Sequence, residues 1–250
     1  MDRDATGLAG ARHLSFQTLG STNAEALARA RAGERGPLWI TAQRQDAGRG
    51  RRGSIWVSPP GNLYATLLLT EPSRPAVAPQ LSFVAGLALH DATSDRAPQV
   101  GPGLKLKWPN DLLLAAKKIG GILIEGDNEP AFSVVIGFGV NCASHPDDTA
   151  FPATDLAAAD ALVTSDALFR ALKRTMSRRL EQWQHGDGFA DIRADWLKRA
   201  AGLGQPIRVR LAERELAGRF EGLDEAGRLQ LAQPNGTVAI TAGKVFGLDA

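Results

Sequence analysis

A single cysteine, Cys142, stands in 250 residues, and that scarcity excludes two classes at once. No internal disulfide can form and no cysteine-based metal site can be assembled, which suits a reducing compartment and leaves Cys142 as a small buried residue. The four histidines, His13, His90, His145 and His185, lie far apart without H-E-x-x-H spacing, so a zinc centre has no support either. No apolar run approaches the roughly 18 residues that span a bilayer, and Met1-Asp2-Arg3-Asp4 leads into no signal-peptide core. The expectation is a soluble, cytoplasmic protein that does not engage a membrane.

An excess of charge of one sign is missing too. Lys plus Arg number 29 against 27 Asp plus Glu, a formal net charge of +2, whereas a general nucleic-acid binder carries a basic face across the domain. No G-x-x-x-x-G-K-[ST] phosphate loop and no G-x-S-x-G elbow occur, which removes a P-loop ATPase and an elbow-type serine hydrolase. Internal repeats and low-complexity tracts are absent as well. At 250 residues the chain can bury a sizeable core, as one large domain or one large plus one small.

What the chain does have is Gly48-Arg49-Gly50-Arg51-Arg52-Gly53, followed by Trp56 and the Pro59-Pro60 stop. Glycine lets backbone approach a ligand closely, and arginine offers forked donors matched to phosphate and carboxylate oxygens. The hexapeptide also fits G-x-G-x-x-G, but its context does not. Gln43-Arg44-Gln45-Asp46 precedes it instead of an apolar strand, and the prolines after it forbid the helix a dinucleotide fold requires. About twenty residues from Gln43 to Asn62 carry no periodic signal, and a loop of that length in a compact domain is functional or disordered. With Ile55, Trp56 and Val57 inside it, the spacing points to a loop that closes over a ligand.

Around this loop, short strands are expected at His13–Gln17, Leu38–Ala42, Leu63–Thr70, Leu104–Trp108 and Phe132–Val140, with a hairpin from Leu112 through Ala115–Lys118 to Glu125. Gly120-Gly121 within that hairpin marks a bulge or a close backbone approach. Helices are expected at Ala24–Ala32, where Thr22 and Glu25 have capping-box spacing, and at Leu81–Asp91. Two more follow from the helical spacing of Leu168, Leu172, Met176, Leu180 and Trp183, then Ile192, Trp196 and Leu197. From Gly202 short alternating runs with glycine turns suggest a small β-barrel or sandwich that leans on the first domain.

The remaining polar set is cationic, namely Arg49, Arg51, Arg52, Lys107 and Lys118, with carboxamides at Asn23, Gln45, Asn110 and Asn141. Such a set stabilises anions and supplies no nucleophile. It suits attack of a substrate carboxylate on the α-phosphate of ATP, where fixed positive groups and Mg²⁺ offset the repulsion of two anions. An RNA-binding role for the arginines and Trp56 is the reading from another class, and balanced charge counts against it.

Ser21-Thr22-Asn23, Gln45 to Gly53 with Trp56, Lys107-Trp108-Pro109-Asn110-Asp111, Lys118 to Glu125 and Gly137-Phe138-Gly139-Val140-Asn141 together resemble the biotin protein ligases in order and spacing. The resemblance covers essentially the whole chain. It implies an α+β fold: a mixed-sheet catalytic domain packed with helices, like class II synthetases and lipoate ligases, at 1–201, and an SH3-like β-barrel at 202–250. The implied reaction joins biotin to a lysine of a biotin carboxyl carrier protein through biotinyl-5'-AMP, with ATP and Mg²⁺, in a monomer or homodimer. A lipoate or octanoate ligase or transferase of the same broad fold is the alternative.

By the same resemblance, Ser21, Thr22, Asn23, Gln45, Arg49, Gly50, Arg51, Lys118, Gly120, Gly121 and Leu123 serve biotin. Arg51, Arg52, Trp56, Lys107, Asn110, Asp111 and Asn141 serve ATP, with Asp111 also a partner for Mg²⁺. Lys118 and Arg51 would be the catalytic pair, and Lys117 is the fallback for Lys118. Fewer than twenty residues precede the first strand candidate, so a form without a DNA-binding helix-turn-helix is expected.

Overall fold

Leu63–Thr70 is largely apolar on both faces, and every residue from Leu63 to Leu69 is buried, as befits a strand near the centre of a seven-stranded sheet. The computed structural model describes residues 8, 10–147, 149 and 151–247; the opening Met1 to Asp4 lies outside the described residues. In chain order the sheet comprises β1 (Arg12–Leu19), β2 (Leu38–Gln45), β3 (Leu63–Thr70), β4 (Leu104–Lys107), β5 (Asp111–Leu114), β6 (Lys117–Asp127) and β7 (Ser133–Val140). Their spatial order is β1-β2-β3-β7-β6-β5-β4. Only β1 and β2 run parallel; every other neighbouring pair is antiparallel.

Helix α1 (Thr22–Arg31) lies on one face and seats Ala26, Leu27 and Ala30 against Leu38, Ile40, Leu68 and Val135. Small alanines bring its axis close to the sheet. The other face is covered by α2 (Leu81–Arg96), α3 (Ser165–Trp183) and α4 (Phe189–Lys198). The apolar stripe of α3 is buried as its spacing predicts, each fully buried leucine being worth roughly 1.5–3 kcal/mol. Arg179 of α3 ties the three helices together by donating to Asp91 (2.6 Å) and Asp195 (2.8 Å).

One local expectation is corrected. The N-cap of α1 is Ser21, whose hydroxyl accepts from the Ala24 amide, so Thr22 and Glu25 form no capping box. Glu25 instead accepts from Arg29, and Thr22 is drawn away by Gln45. Helix α2 also runs five residues past its expected end at Asp91, to Arg96.

The C-terminal strands β8 (Pro206–Arg210), β9 (Glu215–Leu223), β10 (Leu229–Gln233), β11 (Gly236–Ile240) and β12 (Lys244–Phe246) form an antiparallel sheet in the order β11-β10-β9-β8-β12. This small SH3-like module shares its core with the larger domain. One buried cluster holds Phe83, Phe189 and Trp196 of the larger domain together with Ile207, Phe220, Leu229 and Leu231 of the module, Gly227 packs against the Phe83 ring, and the Trp108 indole donates to Gly227 O at 3.2 Å. A five-stranded sheet of this size cannot bury enough surface alone, so the shared core is its source of stability.

Candidate active site

Strands β6 and β7 pair Gly121 with Gly139 and Leu123 with Gly137, and alternation puts these residues on the α1 face of the sheet. Proximity requires glycine at positions 139 and 137. A Cβ on Gly139 would come within 2.5 Å of the Trp56 ring, one on Gly121 within 3.4 Å of it, and one on Gly137 would run into the Asn23 carboxamide. The three glycines form the floor of a cleft of about 510 Å³.

The register between β5 and β6 shifts after Leu112↔Gly120, and the next pair is Leu113↔Lys118. Ile119 is therefore an extra residue, and a bulge of this kind reverses side-chain alternation. Gly120 faces Leu89 and Leu112, away from the cleft, by ordinary alternation with Gly121, whereas the extra residue turns Lys118 into the cleft, its Nζ 5.3 Å from the Trp56 ring centroid. Lys117 is left exposed outside the cleft.

At the α1 end of the floor, the residues Ser21, Thr22, Asn23 and Gln45 converge. Gln45 Oε1 accepts from the Thr22 amide (2.9 Å) and hydroxyl (3.1 Å), and Gln45 Nε2 donates to Ser58 (3.0 Å). Asn23 is almost wholly buried; its Nδ2 donates to Leu123 O (3.2 Å) and Glu125 (2.8 Å), while its Oδ1 accepts from Thr66 (2.7 Å). This is a prearranged set of donors and acceptors in an apolar surround.

The arginine loop is folded over this end as a tight hairpin. Arg49 bridges to Ile55, the Gly50 amide donates to Ser54 O at 2.7 Å, and the Trp56 amide donates to Gly48 O at 2.9 Å. Its tip turns through Arg52 and Gly53, both at positive φ (55° and 72°), a conformation that glycine adopts freely and arginine only at a cost. Arg49 and Arg51 line the cleft, with Arg51 donating to Asn110 at 3.2 Å, whereas Arg52 points outward. Ile55 is 85% exposed and Val57 53%, although both border the cleft mouth.

The other end is cationic. Asp111 receives Lys118 at 2.5 Å and Lys107 at 3.1 Å, while Lys107 Nζ also rests 3.5 Å over the Phe151 ring. Burial alone would raise the Asp111 carboxyl, but the two lysines outweigh it and hold it below the usual carboxylate range. Lys107 is shifted downward, because burial acts on it more strongly than Asp111 does. Asn110 donates to Ile122 O at 2.7 Å and Asn141 to Thr154 O at 3.0 Å, which fixes both carboxamides. Burial pushes the neighbouring Cys142 thiol up to about 12, so it is inert.

The cleft thus gathers the sequence-expected residues apart from Arg52 and Gly120, which do not line it. Sequence reasoning missed Phe151 beneath Lys107, Thr66 and Ser58 in the polar floor, Glu125, and Lys244 and Phe246 of β12 at the rim. Glu125 closes a quoted motif and had a local signal; Thr66 sits within an apolar strand and had none. Among the described residues no three His, Cys, Asp or Glu side chains gather as a metal-binding group.

Residues 16–141 match the biotin/lipoate A/B protein ligase family, and residues 202–247 match the biotin protein ligase C terminal domain. The chain is 42% identical over 235 residues to a biotin–acetyl-CoA-carboxylase ligase of Paracoccus denitrificans, an alignment covering 90% of this chain and 96% of that protein. The structure is similar to a biotin protein ligase from Aquifex aeolicus in complex with biotin and ATP, with a TM-score of 0.79, 24% identity, and 94% and 97% of the two chains covered; this likeness is one of fold. It is also similar to the Leishmania major biotin protein ligase in complex with biotinyl-5-AMP, with a TM-score of 0.66, 26% identity, and 92% and 99% covered.

Proposed function

The chain belongs to the biotin/lipoate A/B protein ligase family and is an ATP-dependent ligase of biotin, and we propose that its glycine-floored cleft holds biotin and ATP end to end. The observation that carries this reading is the juxtaposition of a neutral polar pocket with the Lys107-Asp111-Lys118 cluster along one strip of backbone. The ring system of biotin fits the pocket of Ser21, Thr22, Asn23 and Gln45, its chain passes over Gly121, Leu123 and Gly139 beside Trp56, and its carboxylate meets Lys118. Arg49 and Gly50 cover it. The phosphates of ATP lie toward Arg51 and Lys107, with Asn110 and Asn141 on the nucleotide side.

In the first step a carboxylate oxygen of biotin attacks the α-phosphorus, forming a C–O–P anhydride and expelling pyrophosphate. Lys118 and Arg51 stabilise charge that grows on the phosphoryl oxygens, a contribution typical of fixed cationic donors in a water-poor site. In the second step the neutral amine of a carrier lysine attacks the acyl carbon, the C–O bond breaks, AMP leaves with the electron pair, and the amine proton passes to solvent. No residue of the protein becomes covalently attached. The relatives' names give acetyl-CoA carboxylase as their acceptor, and the acceptor proposed for this chain is the biotin carboxyl carrier protein of that enzyme.

Lys118 and Lys107 already pair with both Asp111 oxygens, so Mg²⁺ would reach Asp111 only in exchange for one of them, with substrate phosphates supplying further ligands. Bound there, it would neutralise phosphate charge. We assign residues 1–201 to the catalytic domain and 202–250 to the β module, in a monomer or homodimer working in the cytoplasm; no helix among the described residues is long and apolar enough to cross a membrane. Incubating the protein with ATP and biotin, or with lipoate as control, tests the assignment. Biotin-dependent pyrophosphate release and labelling of a carrier-domain lysine are expected, and equal use of lipoate would overturn it.

A further inference from the structure

Arg49 leaves the loop sideways, and its partly exposed guanidinium turns onto the neighbouring strand. Its Nη2 donates to both carboxylate oxygens of Glu125 on β6, at 3.0 and 3.1 Å. The same carboxylate accepts from Asn23 Nδ2 at 2.8 Å, so Glu125 joins the loop to a buried residue of the pocket floor. From Asn23 the contacts continue through Thr66, whose hydroxyl lies 2.8 Å from that of Thr22, and on to Gln45. Gln45 then donates to Ser58, whose hydroxyl holds Trp56 O at 2.9 Å. Both ends of the arginine loop are therefore tied to one polar floor.

We infer that Glu125 is a positioning residue that latches the arginine loop shut over the head pocket, holding Arg49 on one side while orienting Asn23 on the other. Geometry supports the double task. An ionised carboxylate is acceptor-only, with room for several donors, and it fixes the Asn23 amide with Nδ2 outward and Oδ1 toward Thr66. Gly137 leaves the space that amide occupies, since a Cβ there would run into it. Charge-assisted hydrogen bonds are stronger than neutral ones, yet Arg49 and Glu125 side chains are 38% and 28% exposed, so solvent screening keeps the latch weak enough to open for ligand exchange. The inference rests on the reading of this pocket as the biotin site.

Glu125→Gln keeps size and most hydrogen bonding but removes the charge, and Glu125→Ala removes both. Without any ligand, limited trypsin cleavage after Arg51 and Arg52 is expected to rise roughly two- to fivefold in each variant, with melting temperatures near the parent's. With ligand, biotin dissociation and the KM for biotin are expected to rise by a similar factor while kcat at saturating biotin changes by less than about two. Arg49→Ala combined with Glu125→Gln is expected to be no worse than Arg49→Ala alone, because the two changes break one link. Asp127→Asn, which breaks the nearby exposed pair with Arg31, serves as the control at parental values. Parental cleavage in both Glu125 variants, or additive effects in the double variant, would overturn the latch. The ligand-free cleavage tests the latch even if the parent fails to use biotin, and that failure would refute the biotin reading separately.

Discussion

Replacing Gly139 by alanine adds one methyl group at a position the tertiary structure makes critical. The φ of Gly139 lies outside the left-handed region and the residue is in a paired strand, so alanine meets no backbone penalty there. The added carbon would sit 2.5 Å from Trp56 Cε2, against an optimal carbon–carbon separation of about 3.5–4.0 Å. The indole must therefore move by roughly 1 Å. Strand β7 cannot give way, because it is hydrogen-bonded on both sides, so the ring and the loop that carries it yield. A displacement of about 1 Å in a positioning group costs on the order of a hundredfold in rate.

Gly139→Ala should accordingly fold with a near-parental melting temperature and lose about a hundredfold in kcat/KM for biotin-dependent pyrophosphate release. Gly126→Ala is the matched control, since its Cβ would approach no atom closer than 3.5 Å. A Gly139→Ala enzyme that turns over within a factor of about three of the parent, with a parental KM for biotin, would refute the claim that Trp56 must rest on that backbone.

Lys118→Ala should lower adenylate synthesis by at least about a hundredfold, as loss of a charge-stabilising donor does, whereas Lys117→Ala stays within a few-fold of the parent; steady-state pyrophosphate release distinguishes them. Arg51→Gly should release biotinyl-adenylate, because an arginine–phosphate contact of roughly 1.5–3 kcal/mol is lost from the site, equivalent to one or two powers of ten in residence time. Biotin then appears on a bystander protein lacking a carrier domain, and an unlabelled bystander beside active carrier transfer would reject the role. Acid should destabilise the helical layer. The carboxyls of Asp91 and Asp195 are raised by burial but lowered further by Arg179 and their other partners, so both sit below the ordinary range. A depressed folded pKa gives stability that is present above the unfolded value and lost as pH falls through the folded one, so melting temperature should hold between pH 7 and about 5 and drop below about 4. Arg179→Ala should flatten that drop, and an unchanged slope would count against the network.

Most strands and helices were legible in the chain because their signals are local. The buried stripe of α3, the largely apolar β3 and the Gly-Arg loop each announce themselves within a few neighbouring residues, and the order of the motifs sufficed to indicate the chemistry. The strand β12 did not, since three residues carry no period. The N-cap of α1 was misread because Ser21 and Thr22 both suit a cap, and only a distant side chain, Gln45, decides which one is engaged elsewhere.

Sequence by itself determined the inventory: the cations, the carboxamides, the glycines, and the loop that bears three arginines without a surplus of positive charge across the molecule. Tertiary structure decided which of them face one another. One inserted residue, Ile119, sends Lys118 into the cleft, and no local pattern reveals that, because a bulge is defined against its partner strand. The Arg49–Glu125 link and the seat of Trp56 on Gly139 likewise join residues more than seventy positions apart. Such contacts arise only when β6 and β7 are paired in register beside the loop, which is a property of the folded sheet.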